Sequence, residues 1–261
     1  ETTENIHVSN CTITSRSSGI RIGWAERDIR NCTFRGLVIN SNRGIGIYAR
    51  HDEVIENIIF DDIIINTRLH TGWWGAGEPV HVSQIPLGTW YGKEQKLSAH
   101  GIIRNCLFNN LQITAESGIV VYAYHRNAIQ DITFQHIRYQ FNNSVHNRLR
   151  GGNIELRPAF DNRYAVFKSN IPCLYARNVK GLRVSQYKIT AAGNLPEYYT
   201  NAICCEHFED LVIEGLNGTA LNPARYPAIS LSYGSHATVT NCTAGMGANV
   251  FLRQQHVKNK K

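Results

Sequence analysis

Five residues able to carry acid–base and ion-pairing chemistry fall close together early in the chain: Arg21, Arg43, Tyr48, Glu78 and His81. A carboxyl or an imidazole can pass a proton near neutral pH, and a guanidinium grips an anion. Residues 71–79 read Thr-Gly-Trp-Trp-Gly-Ala-Gly-Glu-Pro. Trp73 and Trp74, set between glycines, suit a loop that presents aromatic faces for stacking, or one that clamps onto the body of the molecule. Glu78 is therefore the candidate acid/base group. Arg21, Arg43, Tyr48, Trp73, Trp74 and His81 are its candidate substrate contacts. Tyr122, Glu155 and Arg157 extend the set, with Glu206 near them as a second carboxylate or as one member of a surface ion-pair network. No Cys-x-x-Cys pair occurs, and His125, His136, His146 and His207 lack metal-ligand spacing, so neither a metal nor another cofactor is expected.

These residues need elements to position them, and the chain supplies a repeat. Its pattern is apolar, x, Asn/Asp, apolar, x, apolar, x, x, apolar, x, apolar. Ile29, Asn31, Cys32, Phe34, Leu37 and Ile39 form one copy; Ile55, Asn57, Ile58, Phe60, Ile63 and Ile65 form the next. Further copies are centred on Asn105, Asp131, Asp210 and Asn241, a looser one spans Leu182 to Ile189, and a partial one around Asn10 opens the chain. The polar anchors advance by 21 residues from Asn10 to Asn31, then by 26, 48 and 26 to Asp131, one turn plus inserted loops. Alternation with period two means strand, and the two-residue break means a corner. A second strand recurs between copies: residues 18–23, 43–48, 78–83, 117–122, 153–157, 201–206, 227–232 and 249–253.

This rhythm predicts an all-β chain, a right-handed parallel β-helix of about eight coils with about three short strands each. One domain is expected over 1–255, lacking its N-terminal coils, with 256–261 a frayed basic tail. Cys11, Cys32, Cys106 and Cys242 should point inward in one column as small buried hydrophobes. The outward column should read Arg21, Gly46, His81, Val120, Glu155, Cys204, Ser230, Phe251. The column beside it should read Gly23, Tyr48, Ser83, Tyr122, Arg157, Glu206, Ser232, Arg253. Arg21 should extend over the bare Gly46.

The chain has 261 residues, with 27 Lys+Arg against 20 Asp+Glu and a net charge of +7. The basic residues are scattered rather than gathered in a stripe, so a nucleic-acid partner is not expected. No apolar run is long enough to cross a membrane, and no leader pattern opens the chain.

Residues 5–13, Ser18 to Gly23, Asn31-Cys-Thr-Phe and Arg43 to Tyr48 resemble glycoside hydrolase family 28, the polygalacturonases and rhamnogalacturonases. The resemblance covers roughly residues 4–65; beyond them only the β-helix rhythm continues. Family members carry Asn-Thr-Asp, Asp-Asp, Gly-His-Gly and Arg-Ile-Lys. Here Ser17-Ser18-Gly19 stands for the third motif and Gly46-Ile47-Tyr48 for the fourth, although Arg43-Gly44 matches the pair that often precedes it. The aspartate motifs would lie before Glu1.

The resemblance implies a glycosidase acting on a pectic or related polysaccharide, in a C-terminal portion or a divergent member that lacks the family's aspartates. The alternatives are a non-catalytic carbohydrate-binding β-helix and a polysaccharide lyase. An extracellular or periplasmic location follows from such a substrate. Self-association through an open N-terminal coil is also expected.

Overall fold

The computed structural model describes residues 1–24, 26–70, 76–87, 99–157, 159, 165–192, 194–245 and 250–258. In chain order the strands begin β1 (Thr3–Glu4), β2 (His7–Ser9), β3 (Thr12–Thr14), β4 (Ser18–Gly23), β5 (Ile29–Ser41), β6 (Arg43–Ala49) and β7 (Val54–Thr67). Then come β8 (Val80–Gln84), β9 (Ile102–Ala115), β10 (Ile119–Ala123), β11 (Ile129–Asn142), the single turn α1 (Asn147–Arg150), β12 (Asn153–Glu155) and β13 (Val166–Lys168). The rest are β14 (Leu174–Arg177), β15 (Val179–Lys180), β16 (Arg183–Ala192), β17 (Ile203–Glu206), β18 (Glu209–Asn217), β19 (Ile229–Ser232), β20 (Ser235–Thr240) and β21 (Leu252–Gln255).

The protein is all-β, and its two large sheets are parallel. The first orders β1, β5, β7, β9, β11, β15, β18 and β16. The second orders β21, β19, β17, β14, β10, β8, β6 and β4, eight strands among the described residues. From β4 to β11 the chain alternates strictly between the sheets, so each parallel crossover is itself a strand of the other sheet. Stacked passes of this kind bury apolar faces that no single pass could cover.

The long strands of the first sheet bend twice, each time at a residue with positive φ. The first bend falls at Asn31 (55°), Asn57 (57°), Asn105 (52°) and Asp131 (51°). The second falls at Gly36 (63°), Asp62 (55°), Asn110 (50°) and His136 (55°). Asn and Asp tolerate this left-handed region, and glycine enters it freely. The amides also link successive passes, with Asn105 Nδ2 donating to Asn57 Oδ1 at 3.3 Å and Asn57 Nδ2 to Asn31 Oδ1 at 3.1 Å. The recurring polar anchor is therefore a corner. Inside, Phe34, Phe60, Phe108 and Phe134 stack with centroids 5.0, 5.0 and 4.7 Å apart.

Pairing corrects several expectations. His7 pairs with Thr33 and Ser9 with Arg35, which sets Asn10 opposite Gly36 and Asn5 opposite Asn31. Asn10 and Asn241 thus belong to the second corner, and the 21-residue step from Asn10 joined two different corners. Cys32 faces Ile58 and Cys106 faces Ile132, whereas exposed Cys11 and half-buried Cys242 continue the Leu37 column instead. Residues 153–157 do not join the second sheet. Strand β12 pairs antiparallel with β13, and β14 takes the place expected for it. Arg253 pairs with Ser230, so the last strand sits two residues from its expected register and Phe251 leaves the outward column. The tail is paired through Lys258, whose amide donates to the Gly234 carbonyl at 2.9 Å.

Two substitutions test this architecture by denaturant unfolding. Phe108→Ala should cost about 3–5 kcal/mol through the gap left in the ring stack. Asn105→Ala should cost about 1–2 kcal/mol for its left-handed backbone, and Asn105→Gly should cost less.

Candidate functional site

The outer face of the second sheet gathers charge. Its register sets Arg21 beside Gly46, Gly46 beside His81, His81 beside Val120, Val120 beside Tyr175 and Tyr175 beside Cys204. One step along, Tyr48, Ser83, Tyr122, Arg177 and Glu206 form the neighbouring column. Arg21 does not cover Gly46: the Tyr48 ring lies there, and a Cβ at position 46 would collide with it. Arg21 instead stacks over Trp24 at 5.3 Å.

Tyr48 sits between two guanidinium groups, Arg43 at 5.8 Å and Arg50 at 5.0 Å from its ring centre. Arg43 grips Glu78 with two donors, Nε to Oε2 at 3.2 Å and Nη2 to Oε1 at 3.0 Å. Its third nitrogen, Nη1, donates to the Tyr48 hydroxyl at 2.9 Å. The backbone N–H of Ala76 also donates to Glu78 Oε2, at 2.7 Å. His81 Nε2 lies 2.9 Å from Ser83 Oγ, and its Nδ1 lies 3.6 Å from Glu78 Oε1. Arg50 donates to the Ser83 carbonyl at 2.8 Å and to Ser83 Oγ at 2.9 Å.

Residues 143–157 follow β11 and fold back as a cover over this cluster. Arg43 Nη2 donates to the Glu155 carbonyl at 3.2 Å, and Arg50 Nη2 to the Leu156 carbonyl at 3.4 Å. Arg157 closes onto Glu155 Oε1, at 3.1 Å through Nε and 2.9 Å through Nη2. Under this cover Arg43, Arg50 and His81 are 0% exposed, Glu155 1% and Glu78 2%. Among the described residues, the Nδ1 of His81 and the Nε of Arg50 are buried without a hydrogen-bond partner.

Burial favours the neutral form of every group here, and neighbouring charges then decide each case. For Glu78 burial pushes the carboxyl up, but Arg43 and His81 outweigh it and hold the group well below the usual carboxylate range. Glu155 is raised, chiefly by burial, against the opposing pull of Arg43. His81 is pushed down to about 4 by burial and then by Arg43. Arg50 is pushed down to about 9 by burial, with Tyr48 and Glu53 resisting. The site therefore holds one persistent carboxylate, one carboxyl that keeps its proton more readily, and a neutral imidazole at neutral pH.

Arg43, Tyr48, Glu78, His81, Glu155 and Arg157 thus meet, although Glu155 and Arg157 arrive from the cover and not from a coil. Tyr122 belongs to the next pass, half-buried, with the Arg177 guanidinium 6.0 Å from its ring. Arg21 stands apart and exposed, and Trp73 and Trp74 lie outside the described residues. Sequence reasoning missed Arg50, Tyr175 and Arg177; it placed Ser83 correctly in the outward column but gave it no role. The alternation Tyr48-Ala49-Arg50 carried the signal for Arg50, since both polar residues share one face. Tyr175 donates to Glu206 Oε2 at 3.0 Å, which ties the missed pass to the one after it.

No protein-family model matches the chain, and no curated protein matches it. Among solved structures it is similar to a trypsin-treated variant of QnrB1, a plasmid-mediated fluoroquinolone resistance protein. That likeness is 9% identity over 97% of this chain and 92% of that chain, at a TM-score of 0.22. At such a score it bears on neither the fold nor the chemistry.

The buried imidazole predicts a pH dependence. His81 stays neutral in the folded protein down to about pH 4, whereas the unfolded chain takes up its proton near pH 6.5. Its contribution is complete above that range and is lost as the pH falls from 6.5 to 4, by about 3 kcal/mol. Thermal melts should drop more steeply over this interval for the native sequence than for His81→Gln.

Proposed function

We propose that the protein is a right-handed parallel β-helix of about eight coils that acts as a glycoside hydrolase on a pectic or related polysaccharide. The observation that carries this reading is the pair of carboxyls around Arg43, Glu78 held ionised and Glu155 held towards its protonated form. Glycosidic cleavage uses one carboxylic acid to protonate the leaving oxygen and one carboxylate to act as base or nucleophile, and opposed proton affinities assign those roles. Glu155 is the donor and Glu78 the anion. Arg157 and Tyr122, both half-buried at the rim, are the contacts that a sugar chain meets first. The resemblance of residues 4–65 to the polygalacturonases supports the choice of substrate, and such a substrate goes with an extracellular or periplasmic location.

Burial of Glu78 favours a second reading, a carbohydrate-binding β-helix in which Arg43 and Glu78 are an anchor. For hydrolysis the segment Glu155 to Arg157 has to swing off Arg43 and Arg50.

A panel of pectins and related polysaccharides separates the two. Hydrolysis predicts new reducing ends without new ultraviolet absorbance, and a loss of about 100-fold or more in Glu155→Gln and Glu78→Gln variants that still fold. Retention on a polysaccharide column with no release supports the binder. Products absorbing in the ultraviolet mark a lyase and contradict both.

A further inference from the structure

The outer face of the first sheet carries cations that the fold does not use. On its other strands the outward cations meet carboxylates: Arg30 meets Glu4 and Asp28, Arg35 meets Asp61 and Asp62, Arg104 meets Glu56, and Lys180 meets Glu209. Arg138 on β11 pairs in register with Lys188 on β16, and both are exposed. Parallel neighbours in register lie about 4.8 Å apart, and like charges so placed repel. Gln112 and Asn217 flank the pair in the same column, and neither is a carboxylate.

Two adjoining clefts, of about 520 and 340 Å³, meet at these cations. Both are lined by Arg138 and Lys188, and among the described residues no carboxylate lines either one. Amides supply much of the remaining polar lining, Asn109, Asn110 and Gln186 on one side and Gln112 and Gln140 on the other, with the His136 imidazole in the first cleft and two threonine hydroxyls in the second. A guanidinium beside an ammonium, ringed by amides, matches a carboxylate on a hydroxyl-rich body.

We infer that Arg138 and Lys188 form a second binding site, on the outer face of the first sheet, for the carboxylates of an acidic polysaccharide. Single-stranded nucleic acid would want exposed aromatic faces, and the tyrosines here, Tyr139 and Tyr187, are buried. The identity of the ligand rests on the polysaccharide reading above; the existence of an anion site does not.

Calorimetry of a short oligogalacturonate on the full chain at low ionic strength tests the inference, with native sequence compared against Arg138→Gln/Lys188→Gln. The double variant should lose one bound ligand per chain or, where only one binds, about tenfold or more in affinity. Its circular dichroism should be unchanged, and the fully methyl-esterified probe should show the same loss on the native protein. Loss of binding in the double variant, together with no hydrolysis by the native sequence, sinks the enzyme reading alone. Unchanged stoichiometry and affinity in the double variant overturn the inference. So does equal binding of a single-stranded DNA oligomer.

Discussion

In-register parallel pairing is the constraint from which the rest follows. Backbone hydrogen bonds tie each residue of one pass to one residue of the next, so every position becomes a column. A column has to repeat a chemistry that tolerates its own copy about 4.8 Å away. Phenylalanine does so by stacking, isoleucine by packing and asparagine by passing an amide bond from pass to pass. The left-handed corners obey the same rule, because a bend has to fall at the same place in every pass. Where a column breaks its rule, something other than the fold has to explain it. The second sheet's outer face breaks it with buried charge, and the first sheet's outer face breaks it with facing cations.

Burying an arginine and a glutamate is costly, and their mutual attraction offsets the cost only where the geometry is complete. Here it is nearly complete. Arg43 meets two oxygens of Glu78, a hydroxyl and a carbonyl, and Glu78 takes a further backbone donor. Gly46 makes this possible, since only a residue without a side chain leaves room for the Tyr48 ring between the guanidiniums. The cover does as much as the sheet, because the carbonyls of Glu155 and Leu156 each satisfy an arginine. Opening that cover would expose both carboxyls together and leave Arg43 and Arg50 each short of an acceptor, so access and electrostatics are coupled.

Much of this was legible in the sequence. Period-two alternation with a break identified the strands and corners, and most inward residues followed. The meeting of Arg43, Tyr48, Glu78 and His81 followed too, because two neighbouring strands of one sheet, β6 and β8, carry or adjoin them. Two errors share one physical origin. Ile154-Glu-Leu156 imitates the inward alternation of a coil, yet it closes an antiparallel hairpin, and the true strand is Leu174-Tyr-Ala-Arg177. Asn10 imitates Asn31, yet each pass has two corners that both favour asparagine. Local pattern specifies a strand or a corner, and only pairing across a long insertion specifies which pass it joins. The cover was illegible for the same reason, since its bonds to Arg43 and Arg50 are backbone carbonyls that no side-chain pattern announces.

The register between the passes on either side of that insertion is therefore the point on which the account stands. A cysteine at Tyr175 would face the native outward Cys204 from the adjacent strand, within reach of a disulfide. Mild oxidation of Tyr175→Cys followed by peptide mapping should recover residue 175 linked to Cys204. A free thiol at 175, together with Cys204 linking to a cysteine placed at Glu155, would put the wrong segment in the sheet and contradict the fold and the site alike.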